Sequence, residues 1–202
     1  MVIVTPSVSL EWVTPDALPV IEKAGRTCYK SEDRITPESA VNFVRNVIKS
    51  GHESVIEHAV ASFRIICDRG VTHELVRHRL ASYSQESTRY CNYSKDKFGG
   101  HIQLIHPKEL TDEQKERREV HFNSVQRLYN QEISEGVKPQ LARGILPTCL
   151  KTEIVCTMNF REWRHALKLR TSPSAHPQIS EVTSMILEWF RTNLPVIVED
   201  IP

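Results

Sequence analysis

The sequence has little that would mark a membrane or secreted protein. It contains no run of eighteen apolar residues, and its first residues, MVIVTPSVSLEW, lack the basic and long apolar segments of a secretory signal. The five cysteines are odd in number, scattered and never arranged as C-x-x-C, which argues against a disulfide framework and a structural zinc site. We therefore expect a cytoplasmic protein of a reducing compartment, with no membrane partner.

The chain also lacks an excess of charge, internal repeats and low-complexity linkers. Lysine and arginine number 26 against 25 acidic residues, so the net charge of +1 provides no general field that would attract nucleic acid. Any anion must then be bound by a local cluster. With 202 residues, 40% of them hydrophobic, the chain has the length of one domain, and we predict a single domain over residues 1–202.

Hydrophobic spacing predicts a mixed α+β fold in which several helices pack against a sheet of few strands. The first long helix is expected to begin at Thr36, as its N-cap, with Pro37 in the first helical position. Its core-facing stripe comprises Val41, Val44, Val47 and Ile48. Apolar residues alternate along residues 59–67 and 150–158, which is the period of a half-buried strand. The order of the strands stays open.

Three further helices are indicated by their N-termini. Thr111 and Gln114 form a T-x-x-Q capping box before a polar helix that is expected to end near Gly136. Another helix is expected after Asn159, and the last after Pro177. The side chains expected to face the core are Val125, Leu128 and Tyr129 in the first of these helices, and Ile179, Val182, Ile186 and Phe190 in the last.

The densest polar chemistry lies in residues 77–90, with three arginines, one histidine and six hydroxyl side chains. Arginine matches phosphate oxygens in pairs and keeps its charge when partly desolvated, so the segment is a candidate phosphate site. Composition alone favours a solvated basic turn equally. If residues 71–79 are helical, Arg77 and Arg79 point about 200° apart. They would then serve two ligands or two subunits.

Two histidine pairs come close to the H-E-x-x-H zinc motif. His52 and His58 are six residues apart, and His73 and His78 are five apart, whereas two ligands on one helix face need a spacing of four. We therefore predict no metal site. A second polar cluster follows Asn159, where Arg161 and His165 share a helix face and Arg170 ends the helix. Arg143 lies in the apolar stretch LARGILP, which points to an anionic partner.

Four elements together resemble one family. Arg77-His78-Arg79, followed seven residues later by Ser87, resembles the R-H-R-x7-S signature of flavin-dependent thymidylate synthases. The other three are GHESVIEH at residues 51–58, LARGILP at 141–147, and N-x-R at 159–161 followed by L-R at 169–170. They keep the family's order along the chain, over roughly residues 20–190.

The resemblance implies an antiparallel-rich sheet and an enzyme that methylates dUMP to dTMP. The methylene group would come from 5,10-methylenetetrahydrofolate, FAD would carry the hydride, NADPH would reduce the flavin, and homotetramers would form active sites between subunits. The residues implied to bind FAD are Ser54, Glu57, Arg77, His78, Arg79, Leu80, Asn159, Arg161 and His165. Those implied to bind dUMP are Glu74, Gln85, Glu86, Ser87, Arg89, Arg143 and Arg170, and His52 would lie near the flavin ring.

Three residues are assigned catalytic roles on this resemblance: Arg170, Ser87 and His52. A cation at the N3/O2 edge of the pyrimidine would stabilise an enolate-like form and raise the electron density at C5, and we assign that role to Arg170. Ser87 could be a nucleophile, but no base is guaranteed beside it, so a positioning and polarising role is favoured. No enzyme cysteine is implied as the nucleophile.

The sequence departs from the family pattern at several positions. Glu74 replaces a common glutamine, Ser84-Gln85 replaces Asn-Glu, and Cys28 corresponds to a serine expected near the adenine end of FAD. Residues 175–179, AHPQI, differ from the usual A-Q-W-E-I. These changes affect the rim of the FAD and folate sites.

The competing hypothesis is a nucleic-acid-binding module. The arginine cluster Arg77, Arg79 and Arg89 would contact phosphates, and Tyr83, Tyr90 and Tyr93 would stack on bases. The near-neutral net charge argues against it, because proteins that track phosphates are usually basic.

Overall fold

Six strands and seven helices make up the regular structure of the computed structural model, which describes residues 1–202. The strands are β1 (Val2–Ile3), β2 (Ser7–Val13), β3 (Val60–Asp68), β4 (Ala81–Gln85), β5 (Gln103–Leu104) and β6 (Lys151–Asn159). The helices are α1 (Ala17–Thr27), α2 (Ser39–Lys49), α3 (Arg69–Leu75), α4 (Asp112–Ser134), α5 (Pro139–Ala142), α6 (Phe160–Arg170) and α7 (Pro177–Asn193). None of the helices combines the length and apolarity needed to cross a membrane.

The strands form two sheets. The larger has four strands in the order β2-β3-β6-β4, and β1 pairs in parallel with β5 in a two-stranded sheet. Thr14, which follows the end of β2, donates its backbone N–H to the carbonyl oxygen of Val60 at the start of β3, at 2.9 Å. Such a contact between the end of one strand and the start of the next is typical of antiparallel neighbours. The predicted α+β class with an antiparallel-rich sheet and several helices is confirmed.

The two central strands were both predicted from alternation. Along β3, Ala61, Phe63, Ile65 and Cys67 are buried, and along β6, Thr152, Ile154, Cys156 and Met158 are buried. The opposite face of β3 is less exposed than expected, since Ser62 is also buried. Its hydroxyl accepts a hydrogen bond of 2.8 Å from Thr157 on β6, which satisfies the buried oxygen.

The predicted N-termini of α4 and α6 are confirmed. Thr111 caps α4 with a complete capping box to Gln114, and Asn159 caps α6 by accepting from the backbone N–H of Glu162. The apolar stripe of α7, formed by Ile179, Val182, Ile186 and Phe190, is fully buried. On α4 the expectation for Leu128 is wrong: it is 45% exposed, because the buried face runs through Phe122, Gln126 and Tyr129 instead.

The expected first helix differs in two ways. An earlier helix, α1, was not predicted, and α2 begins at Ser39 rather than after Thr36. The hydroxyl of Ser39 donates to the carbonyl oxygen of Thr36 and accepts from its backbone N–H, which closes a turn before the helix. Val44 and Val47 are buried as expected, whereas Val41 is exposed.

The helix expected over residues 71–79 ends at Leu75, so Arg77 and Arg79 are not at opposed positions on a helix. The hydroxyl of Tyr83 lies 2.7 Å from the carbonyl oxygen of Leu75 and 2.8 Å from that of His78. The single hydrogen of this hydroxyl can be donated to either carbonyl oxygen, and the backbone N–H of His78 also donates to that of Leu75, at 3.1 Å. These contacts stabilise a turn through Arg77-His78-Arg79. The inference of two ligands or two subunits from helical divergence therefore has no structural basis.

The chain divides into two compact units. Unit 1 comprises Met1–Ser7, Ile66–Glu74 and Ser84–Ile154, and unit 2 comprises Val8–Ile65, Leu75–Tyr83 and Val155–Pro202. The core of unit 1 includes Ile102, Leu104, Phe122, Tyr129 and Leu150. That of unit 2 centres on Phe63, whose ring packs edge-on against Trp163 and Trp189. The single domain over residues 1–202 stays a prediction.

Candidate functional site

The most connected polar group of unit 2 is built around His78. Arg170, the last residue of α6, donates from Nε to Nε2 of His78 at 3.1 Å. On the other side of the ring, Nδ1 lies 3.4 Å from the carboxylate of Glu162, in the first turn of α6. The His78 side chain is almost entirely enclosed, with 4% of the residue exposed. Both ring nitrogens of His78 are therefore engaged within the chain.

The electrostatic surroundings keep His78 neutral at pH 7. Burial, with smaller contributions from the positive charges of Arg170 and His165, lowers the pKa of His78 from 6.5 to about 4. A neutral ring can accept a hydrogen bond at one nitrogen only, and the donor Arg170 faces Nε2. His165 stands edge-on to His78 with ring centroids 5.6 Å apart. His78, from the first polar segment, is thus brought together with His165 and Arg170, from the second polar cluster.

The same group offers the geometry of a metal-binding cluster. One ligand atom from each of His78, Glu162 and His165 lies within 4.8 Å of the others. A metal at Nδ1 of His78 would move its proton to Nε2, directly opposite the Nε–H of Arg170. The metal and the Arg170 hydrogen bond are therefore mutually exclusive, and the donor set favours the hydrogen-bonded arrangement.

A second group of predicted residues surrounds a cavity of about 540 Å³ in unit 2. His52, Ser54 and Arg161 line it, together with the aromatic rings of Tyr29 and Phe43 from residues that sequence analysis did not single out. Glu57 holds Arg161 by a hydrogen bond of 2.6 Å to Nη1. Cys28, which stands where the family has a serine, also lines this cavity.

One buried arginine at this cavity was missed by sequence analysis. Arg164 is 1% exposed and its guanidinium binds Glu53, which lines the cavity, at 3.0 Å and Asp200 at 2.7 Å. It also donates to the carbonyl oxygen of Ile197. Hydrogen bonds from Arg164 hold the pKa of Asp200 well below its usual range. Glu53 and Asp200 lie 111 and 36 residues from Arg164, so no local pattern could have indicated the pairing.

Three further residues of unit 2 that are predicted to bind FAD are open to solvent. Arg77 and Arg79 are exposed, and neither has a hydrogen bond or an ion pair within the chain. Leu80 exposes 72% of its surface, although it is apolar. Two uncompensated guanidinium groups beside an exposed apolar side chain can bind an anion that carries a ring or an aliphatic part.

Unit 1 holds most of the predicted substrate residues along the end of β4 and the turn that follows. The amide of Gln85 donates to the hydroxyls of Thr72 and Thr152, at 3.0 and 3.2 Å. The carboxylate of Glu86 accepts from Tyr93 at 2.8 Å and from Lys151 at 2.9 Å. Both predicted side chains are thus anchored inside unit 1, and the partners that anchor them were not predicted.

The turn after Glu86 carries the basic residues of unit 1. The hydroxyl of Ser87 accepts from the backbone N–H of Arg89 at 3.3 Å, and it makes no hydrogen bond to a histidine or lysine. Arg143 reaches the hydroxyl of Thr88 at 3.5 Å, which brings it to the same turn. Arg143 and Arg89 are exposed, so their remaining donors can bind an anion. Glu74, the other predicted substrate residue of unit 1, lies on α3.

The thiols are distributed as free groups rather than pairs. Cys67 and Cys156 are buried, and burial raises the pKa of each to about 12. Burial also raises the pKa of Cys149 to about 11. These thiols stay protonated at neutral pH, which makes them poor nucleophiles.

Known proteins match this sequence over most of its length. A family model described as "Thymidylate synthase complementing protein" matches residues 9–196. The flavin-dependent thymidylate synthase of Corynebacterium efficiens is 32% identical over 219 residues, covering 97% of this chain and 85% of the relative. That of Pyrococcus furiosus is 36% identical over 180 residues, covering 89% and 73%.

A solved structure supports the fold independently. The UMP/dUMP methylase PolB from Streptomyces cacaoi, crystallised with 5-Br dUMP, superposes with a TM-score of 0.82 and 22% sequence identity. The match covers 98% of this chain and 96% of PolB. At this identity the likeness concerns the fold.

Proposed function

The chain belongs to the flavin-dependent thymidylate synthase family, and from this premise we propose that it converts dUMP to dTMP. The carbon comes from 5,10-methylenetetrahydrofolate and the reducing equivalents from NADPH. The observation that supports this reaction is the hydrogen bond from Arg170 to the buried, neutral His78. Through this bond the protein interior fixes the orientation of the Arg170 guanidinium. The nucleic-acid alternative is not supported, since the helix expected over residues 71–79 ends at Leu75, before Arg77 and Arg79.

The residues of unit 2 fit a flavin dinucleotide. Arg77 and Arg79 have no internal partners and supply donors for a diphosphate. The cavity between α1, α2 and the 3₁₀ turn Glu53–His58 offers aromatic walls, Tyr29 and Phe43, and the donors Ser54 and Arg161. When bound, FAD supplies the hydride transfer that no side chain can perform. His52, at the rim of this cavity, lies where it could contact a second ring.

Arg170 is proposed as the catalytic cation. Methylation at C5 of uracil requires electron density at that carbon, and a guanidinium at the N3/O2 edge stabilises the negative charge of the enolate-like form. Because His78 accepts from Nε, the terminal nitrogens of Arg170 project away from the ring. Their paired donors match O2 and N3 of a pyrimidine ring that has lost its N3 proton, the form in which both atoms accept, better than the single ammonium of a lysine would.

The dUMP phosphate is proposed to bind at the turn of unit 1. Arg89 and Arg143 provide charged donors, and Ser87 a hydroxyl, within one short segment and its neighbour α5. Ser87 has no side-chain base in hydrogen-bond contact, which supports a positioning role over nucleophilic attack. Glu86 is occupied by Tyr93 and Lys151, so its proposed part is to hold the turn rather than to contact the nucleotide through a free carboxylate.

The proposal is tested by tritium release from dUMP labelled at C5. The protein is supplied with FAD, NADPH and methylenetetrahydrofolate, and each is then omitted in turn. Release that needs all three supports the reaction. A yellow, folded protein that releases no tritium under any condition contradicts the assignment of dUMP as the substrate.

The protein is further proposed to be a homotetramer in the cytoplasm. Several large apolar side chains are exposed, namely Leu80, Tyr90, Val120 and Leu141, as expected of a surface that other copies cover. The five free thiols suit a reducing compartment. Light scattering coupled to size exclusion tests the assembly, and a monomer at micromolar concentration would contradict it.

A further inference from the structure

Glu162 is tied to Arg170 through the ring of His78. Its carboxylate lies 3.4 Å from Nδ1, and Nε2 of the same ring accepts from Arg170 at 3.1 Å. We propose that Glu162 is a positioning residue for the thymidylate synthase reaction, acting through His78 to orient the guanidinium of Arg170. The proposal rests on the proposed function, in which Arg170 is the group that meets the pyrimidine.

The hydrogen-bond directions leave only one arrangement of protons. The Nε–H of Arg170 points at Nε2, so Nε2 must carry a lone pair. A neutral imidazole then has its proton on Nδ1, which faces Glu162. The negative charge of the carboxylate, 3.4 Å from Nδ1, favours this tautomer and increases the electron density at Nε2. Carboxylates commonly fix the tautomer of a histidine that binds a metal ion. Here the histidine accepts a hydrogen bond from the guanidinium of Arg170 instead.

The framework around this group holds it in place. The side chain of Asn159 caps α6 at the backbone N–H of Glu162, which sets the first turn of the helix. Tyr83 binds the carbonyl oxygen of His78 at 2.8 Å and so fixes the turn that presents the ring. Glu162 and His78 are both buried, so water does not compete for the contact between them. The orientation of Arg170 is therefore determined by groups other than its ligand.

The experiment is a double-mutant cycle on kcat and KM for dUMP, measured by tritium release. We expect Glu162→Gln to lower kcat about tenfold with a change in KM below about threefold, because an oriented cation acts on the transition state. In the Arg170→Lys background the same substitution should change kcat less than about twofold, since the guanidinium that Glu162 orients is gone. Tenfold losses in both backgrounds, or no loss in either, would overturn the proposal.

The control for charge removal is Glu188→Gln, an exposed residue of α7 outside the site, which should retain wild-type kcat. If Glu162→Gln does not fold, the proposal is tested instead by substituting His78, which lies between Glu162 and Arg170. Gln can still accept from Arg170, so His78→Gln should retain at least fivefold more activity than His78→Leu. Equal activities of two folded His78 variants would contradict the role of the acceptor.

The protonation state of His78, measured by NMR without turnover, tests the positioning role separately from the proposed reaction. In protein with 15N-labelled histidine, assigned with His78→Gln, the His78 signals at pH 7.5 should show a protonated Nδ1 and an unprotonated Nε2. The opposite tautomer would refute the positioning role whatever the activity. If this tautomer is seen but wild-type protein releases no tritium, the proposed function fails, and the positioning role in that reaction fails with it.

Discussion

Lys151 on β6 places its ammonium nitrogen 2.9 Å from the carboxylate of Glu86, and both side chains are largely shielded from water. The same carboxylate accepts from the hydroxyl of Tyr93, whose pKa is raised by burial and by the charge of Glu86. This group ties the end of β4 to β6 within unit 1, immediately before Ser87 and Arg89. The turn proposed to bind phosphate is therefore supported by a charged group beneath it.

Lys151→Met should destabilise the protein. The substitution leaves the Glu86 carboxylate partly buried without its cation, and the free energy of unfolding should fall by about 2–3 kcal/mol, somewhat less than for a fully buried pair. Urea unfolding checks this. The control is Lys115→Met, which removes an exposed pair with Asp112 and should cost less than about 0.5 kcal/mol. Similar losses of unfolding free energy in the two variants would show that the pair of Lys151 and Glu86 stabilises the protein no more than an exposed pair does.

Arg170→Lys should lower kcat about 100-fold while dUMP still binds. Lysine keeps the positive charge but cannot present two parallel donors to N3 and O2, so the loss falls on the transition state. Tritium release and equilibrium dUMP binding, measured on the same preparation, separate the two effects. Loss of dUMP binding with unchanged kcat at saturation would contradict a catalytic role.

Ser87→Ala should leave residual activity with weaker dUMP binding. The hydroxyl is a ligand-positioning group in the proposed site, and removing one hydrogen bond to a charged ligand costs about 1.5–3 kcal/mol. This corresponds to roughly a tenfold to hundredfold rise in the dissociation constant. Mass spectrometry of the wild-type protein during turnover provides the opposing result, since a nucleotide covalently attached to Ser87 would establish it as a nucleophile.

Replacing any one cysteine by serine should leave turnover within about tenfold, a barrier change of about 1.4 kcal/mol. The pKa values of Cys67 and Cys156 are raised to about 12 by burial, so their thiolates are scarce at neutral pH. Each variant is compared with wild type by tritium release after its folding has been checked by circular dichroism. A folded but inactive variant would identify the required thiol.

The stability of the protein should fall as the pH is lowered from about 6.5 to about 4. Over this range an unfolded chain protonates His78, whereas the folded protein, in which the pKa is about 4, keeps it neutral. The unfolded state binds more protons, so the free energy of unfolding decreases with falling pH, by up to about 3 kcal/mol from this group. Glu162, His165 and Arg170 face the ring and define its environment.

Chemical denaturation at several pH values tests this dependence, with His78→Gln as the comparison. That variant should lack the contribution of His78 and show a shallower fall between pH 6.5 and 4. Identical slopes in wild type and variant would mean that His78 does not titrate as its burial implies.

The sequence predicted those parts of the fold that depend on neighbours a few residues away. The alternation of β3 and β6, the capping box of α4 and the buried stripe of α7 each arise from contacts or periods within one element. Predictions failed where a distant group intervened. Tyr83 on β4 hydrogen-bonds at Leu75, where the expected helix ends, and the hydroxyl of Ser39, at the start of α2, contacts Glu22 on α1, 17 residues away.

The candidate site shows the same difference between features that the sequence indicates and features that depend on tertiary contacts. The sequence by itself carried the R-H-R-x7-S signature of Arg77, His78, Arg79 and Ser87, and the separate L-R element with Arg170, and their roles toward dUMP and FAD are what the family resemblance implies. Only the tertiary structure decided that Arg170 meets His78 across 92 residues of sequence, that Lys151 meets Glu86 across 65, and that Arg164 meets Glu53 across 111. Helix caps and hydrophobic periodicity depend on residues within one or two turns of the same element. The three long-range contacts depend on how distant segments pack in the core, and residue spacing along the sequence does not determine that packing.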